Sequence, residues 1–108
     1  MTDIKMNLAD YEHAILAWSA ERGILTHSTP LAQLAKLVSE MGELADNIGK
    51  GRHEAAQDDI GDCFVVLCNI AALIGTDMQH CAQTAWLEIK DRRGRMVEGG
   101  VFIKEGDQ

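Results

Sequence analysis

Apolar residues recur every three or four positions along most of this chain, a rhythm that predicts helices. The first runs from about Leu8 to Arg22 with Tyr11, Ile15 and Trp18 on one stripe, and Gly23 suits its end. "THSTP" reads as a loop, after which Thr29 can cap a second helix and Pro30 fits its first turn. That helix carries Leu31, Leu34, Leu37 or Val38, Met41, Leu44 and Ile48 as its apolar stripe, and "GKG" stops it at Gly49 to Gly51. A third helix, about Glu54 to Ile74, repeats Ile60, Phe64, Leu67, Ala71 and Ile74. From Cys63 onward it is apolar almost all round, which predicts the central buried helix. Thr76 or Asp77 can cap a fourth helix, about Met78 to Arg93. The ending "GRMVEGGVFIKEGDQ" is glycine-rich around a short apolar run, and a tail, a β-ribbon or an arm on another subunit all fit it. The expected fold is all-α: one domain over 1–108, a four-helix antiparallel bundle with a short C-terminal tail or arm, forming oligomers.

Composition narrows the class. A chain of 108 residues that is 46% hydrophobic, with one proline, should fold as a single small domain with apolar surface left for a partner subunit. A net charge of −7 argues against general binding to nucleic acid or to anionic membranes. "MTDIKMNLAD" lacks the layout of a signal peptide, and "CFVVLCNIAALIG" is too short to cross a bilayer. Cys63, Cys68 and Cys81 cannot all pair within one chain and read as reduced core residues of a cytoplasmic protein. No Cys-x-x-Cys spacing suggests zinc.

The candidate chemistry lies inside the two most apolar helices. "LAKLVSEMGELADNIGKG" carries Glu40 and Glu43, and "QDDIGDCFVVLCNIAALIG" carries Asp59 and Asp62. Side chains three apart share a helix face, with Cβ atoms about 5–6 Å apart. If the two helices are antiparallel neighbours, the four carboxylates converge, and like charges in a partly dry cleft resist ionising. Divalent cations remove that cost. Oxygen-only ligands favour Mg²⁺ or Mn²⁺, which share their coordination with substrate phosphates and can direct water at a phosphoanhydride. A single Glu-x-x-Glu is usually a solvated face; two such pairs on consecutive apolar helices argue for more.

"QLAKLVSEMGELADNI" followed by "DDIGDCFVVLCNIA" resembles the MazG family of all-α nucleoside triphosphate pyrophosphohydrolases, whose pattern is Glu-Glu-x-x-Glu and then Glu-x-x-Asp. Glu40 and Glu43 match the second and third acids, Asp62 the terminal aspartate, and Asn69 a downstream asparagine. Ser39 stands where the family has its first glutamate, and Asp59 where it has the second motif's glutamate. The similarity covers roughly Gln33 to Met96, and "WLEIKDRRGRMVEGGVFIKE" is similar to small single-domain members of phage type. The resemblance implies hydrolysis of a (deoxy)nucleoside triphosphate to monophosphate and pyrophosphate with Mg²⁺ or Mn²⁺. It also implies a homodimer or homotetramer with the nucleotide site near a subunit interface, and a lean to dGTP or dATP in nucleotide-pool control. A phage-borne member would work in the host cytoplasm.

Supporting residues follow. Lys90, Arg92, Arg93 and Arg95 cluster in an otherwise acidic chain; Lys90, Arg93 and Arg95, with Lys104, are candidate phosphate ligands, although cations also suit a helix C-terminus. Lys36 lies one turn before Glu40 and can hold it or a phosphate. Asn69 lies two turns after Asp62 and can serve sugar, phosphate or a neighbouring helix. Trp18, Trp86 and Tyr11 can stack on a base, although core packing is the commoner role. His13 and His80 each follow an aspartate by three, but no Glu-x-x-His supports a redox di-metal bundle. The remaining rivals are a non-enzymatic acidic interaction module, and a related all-α hydrolase acting on a nucleoside diphosphate or phosphoribosyl-ATP.

Overall fold

The computed structural model describes residues 5–106; the first four residues, part of the stretch expected to lack a signal peptide, lie outside them. Asn7 opens α1 (Leu8–Glu21) by accepting from the Asp10 backbone, while Asp10 answers at the Asn7 N–H. Thr29 caps α3 (Pro30–Gly49) and Asp77 caps α5 (Met78–Ile89), both as the sequence leads one to expect. Between α3 and α5 lies α4 (His53–Leu73). Gly51, at φ 69°, supplies the left-handed residue that turns the chain from α3 into α4.

Three elements differ from expectation. A one-turn α2 (Ile24–His27) occupies the start of the stretch read as loop, and Thr26 bonds back to the Gly23 carbonyl. The last helix ends at Ile89 rather than near Arg93, because the chain turns into a hairpin of β1 (Gly94–Val97) and β2 (Val101–Lys104). The ending is thus a β-ribbon, with Gly94 opposite Lys104 and Val97 opposite Val101. A Cβ on Gly94 would run into the Ile103 carbonyl oxygen, so glycine is required there. Finally, α5 does not run antiparallel to α4: the two meet at 97°. Its start is pinned by buried Glu12 of α1, whose Oε2 accepts from the Met78 N–H at 2.8 Å.

α4 is central, packing against α1, α2, α3 and α5, but one side stays open. Its buried positions are Ala56, Asp59, Val66, Cys68, Asn69 and Ala71, whereas Ile60, Leu67 and Ile74 of the expected stripe are exposed. On α3 only Leu37 and Glu40 are buried, and Leu31, Leu34, Val38, Met41 and Ile48 face outward. The elements of one chain cover one side of each helix and leave the second apolar side bare. Cys81, Trp18, Trp86 and Tyr11 are likewise exposed rather than core residues, while Cys68 is fully buried. Trp18 instead carries the Arg22 guanidinium 4.3 Å above its ring.

Candidate active site

Two hydrogen bonds cross the α3–α4 seam and fix its direction. Near the turn, Asn47 Nδ2 donates to Asp59 Oδ2 at 2.6 Å. Farther along, Asn69 Nδ2 donates to Gln33 Oε1 at 3.3 Å. The later residue of α3 meets the earlier residue of α4, so the helices are antiparallel. Glu40, Glu43 and Asp62 lie between these two ties.

Charge repulsion follows from that placement. The Glu43 carboxyl is held above its ordinary range, first by the charge of Glu40 on its own helix, then by lost hydration and by Asp59 across the seam. Asp62 is raised too, first by burial, then by Asp58, Glu40 and Asp59. The Cys63 thiol is pushed up by burial and by the same acids. Lys36 binds Glu40 Oε1 at 3.1 Å, and its pKa rises because that bond, with the Glu43 and Asp62 charges, favours the ammonium. Lys36 therefore forms the expected i,i+4 ion pair inside the acid group.

Hard oxygen donors that repel one another suit a divalent cation by chemistry. They are not already gathered for one: among the described residues, no three His, Cys, Asp or Glu side chains meet as tightly as an ion requires. Glu40 is turned onto Lys36 and Asp59 onto Asn47. Joint coordination needs Glu40 to swing from Lys36 and the other acids to draw towards Asp59, whose Oδ2 stays with Asn47.

The other expected site residues divide in two. Asn69 is buried beside the seam, but its amide is engaged in protein bonds: Oδ1 accepts from Ser19 at 2.6 Å and Nδ2 donates to Gln33, whose Nε2 donates to Ser28. Lys90 pairs with Asp91 at 3.1 Å. Arg93 and Lys104 line a charged cavity of about 510 Å³ with Glu88, Asp91, Arg92 and Glu105, and none of the four acids takes part in it. Arg95 sits on β1 opposite Ile103. Among the described residues neither strand packs on a helix, so within one chain these cations are apart from the acids.

Sequence reasoning missed Asn47, Gln33, Ser19 and Asp58. The signal was there for two of them: Gln33 and Asn47 each lie seven positions from Glu40, two turns before and after it on one helix face. Also unforeseen is a cavity of about 520 Å³ between α1 and α5, where His13 and His80 join Glu12 and Asp77; both acids are engaged at the start of α5.

Comparison with known proteins shows the family. The sequence profile of the MazG nucleotide pyrophosphohydrolase domain matches residues 28–95, which hold all four acids, Lys36 and Asn69. The chain belongs to the MazG family. Nucleotide pyrophosphohydrolysis is the reaction that this family's name describes. The chain is also similar to an uncharacterized 18.2 kDa protein from the rep-hol intergenic region of Haemophilus phage HP1 (strain HP1c1), 35% identical over 71 residues. That match covers 66% of this chain and 41% of the phage protein, so the chain spans about two fifths of its relative's length.

Proposed function

We propose that the protein hydrolyses a (deoxy)nucleoside triphosphate to the monophosphate and pyrophosphate, with Mg²⁺ or Mn²⁺ held by Glu40, Glu43, Asp59 and Asp62. The observation that carries this reading is the antiparallel seam with Asp59 and Asp62 opposite Glu40 and Glu43. There the Glu43 carboxyl is held above its ordinary range first by Glu40 and that of Asp62 first by burial, each then by a carboxylate across the seam. Four carboxylates facing one another across the seam outweigh the Lys36 ammonium and waste stability; a site that awaits further positive charge explains the arrangement. Bound at these oxygens, a divalent ion would supply that charge and would offset the negative charge on the departing pyrophosphate. Asn47 orients Asp59 by its hydrogen bond. Lys36 holds Glu40 until the carboxylate is drawn away, and its ammonium then serves a phosphate oxygen. Asn69, fixed between Ser19 and Gln33, presents the far end of the seam to the sugar.

The functional unit is a homodimer or homotetramer of one domain spanning 1–108. Supporting this are the outward α3 stripe and an accessible surface of 8335 Å², against about 5,900 Å² for a compact monomer of this mass. The radius of gyration is 16.8 Å, where about 13 Å is usual. Lys90, Arg93, Arg95 and Lys104 then serve phosphates across a subunit contact. Among the described residues no single helix is long and apolar enough to cross a membrane, in keeping with a cytoplasmic enzyme of the nucleotide pool. The preferred substrates are purine deoxynucleotides, dGTP or dATP.

A panel of common NTPs and dNTPs with Mg²⁺ and with Mn²⁺, scored for pyrophosphate against phosphate, tests this reading. Pyrophosphate release that requires the metal is the expected result. Phosphate alone would point to another hydrolase, and no release with any substrate would favour an acidic interaction module.

A further inference from the structure

The acids occupy one side of Asp62; on its other side opens a cleft of about 440 Å³ between α1 and the first half of α4. Resting on the function just proposed, we propose that this cleft receives the base of the nucleotide, with Gly61 as its floor and Tyr11 as its stacking wall. Gly61 is the least expected residue in it. Glycine weakens a helix interior relative to alanine, yet Gly61 lies mid-helix with no positive φ to require it. Packing does not require it either, because a Cβ built there meets nothing within 4 Å. What a methyl group would occupy is open space in the cleft.

The walls suit an uncharged flat ring. From α1 come Leu8 and Tyr11, both exposed, and half-buried Ile15. An exposed tyrosine offers a face for stacking, and base stacking on aromatics tolerates any base. From α4 come Glu54, Asp58 and Asp62, with no lysine or arginine in the lining. Glu54 and Asp58, which hold no ion in the proposed site, repel a triphosphate but leave a neutral base unopposed. Phosphates therefore belong on the Lys36 side of Asp62 and the base on the Tyr11 side. Gln57 can donate and accept at the base edge, and the Asp58 carboxylate can accept from a base N–H.

The test is steady-state kinetics of the full chain and of Gly61→Ala and Tyr11→Ala, with inorganic tripolyphosphate as a base-free competitive inhibitor. Gly61→Ala should melt above the parent protein yet raise KM for the best nucleotide about tenfold or more, and raise it more than it lowers kcat. Tyr11→Ala should raise KM in the same direction. The inhibition constant of tripolyphosphate should stay at the parent value in both. An unaltered KM in Gly61→Ala, or a parallel rise in KM and in the tripolyphosphate constant, would overturn the base cleft while leaving the pyrophosphohydrolase reading intact. Absence of pyrophosphate release by the parent protein with every nucleotide would overturn both.

Discussion

Asn47 donates a 2.6 Å hydrogen bond to Asp59, tying the last turns of α3 to the opening turns of α4. The bond aims a buried carboxylate that lies one turn from Asp62 on the same face. Partners of this kind fix ligand orientation, and their loss typically costs about 10–100-fold in metal affinity or activity. Asn47→Ala should therefore raise the Mn²⁺ concentration for half-maximal activity by about that factor, read from a metal titration at saturating nucleotide. Unchanged metal dependence would remove Asn47 from the site.

Glu43 and Asp62 test the acids themselves. Glu43 is raised first by like charge, and Asp62 first by burial and then by like charge, so neutralising either should not harm the metal-free fold. Glu43→Gln and Asp62→Asn should abolish pyrophosphate release while the melting temperature without metal stays level or rises. Normal turnover in either variant would sink the ligand assignment.

The same shifts set a pH dependence. A carboxyl raised in the folded state keeps its proton when the unfolded chain has released it. Between the ordinary carboxylate value and the raised one, the folded state holds more protons, so stability falls as pH climbs through that window. Metal-free protein should thus gain melting temperature, relative to Asp62→Asn, as pH drops from about 7 towards 4. Saturating Mg²⁺ should flatten the difference, because the ion replaces the proton. Calorimetry across that range decides it.

Much of this was legible in the sequence. The starts of α3 and α5 were visible because Thr29–Pro30 and Asp77 are local signals whose hydrogen bonds close within one turn. The acid pairs were visible because a three-residue spacing fixes a shared face. Burial was not legible in the same way: periodicity shows that Leu34, Val38 and Met41 form a stripe but not which chain covers it. The hairpin depends on pairing between 94–97 and 101–104, which helical periodicity cannot report. Nor can spacing reveal that Glu12 reaches Met78, a contact between residues 66 apart.

Inside the fold, the Ser19–Asn69–Gln33 chain binds α1, α4 and α3 together. Ser19 is fully buried and Asn69 nearly so. Ser19→Ala removes the only donor described for Asn69 Oδ1 among the described residues, and leaving a buried acceptor without one costs about 1–3 kcal/mol. Urea denaturation should show that loss with an unchanged slope. In the Ser19→Ala, Asn69→Ala cycle the two losses should be less than additive.

The outward stripe of α3 makes the last prediction. Leu34, Val38 and Met41 are each roughly half exposed or more, at 47%, 57% and 45%, and they follow one another at helical spacing. Scattered apolar residues on a surface need no explanation, but a contiguous row rimmed by polar residues marks an interface. A glutamate in its middle would bury an unpaired charge against a second copy, which the assembly would resist more than the monomer. Val38→Glu should therefore shift the mass measured by light scattering from oligomer towards monomer, with helix content by circular dichroism kept. A parent protein that already runs as a monomer at micromolar concentration would show that this stripe meets no second copy, and would assign the phosphate contacts to Lys36 rather than to cations from another subunit.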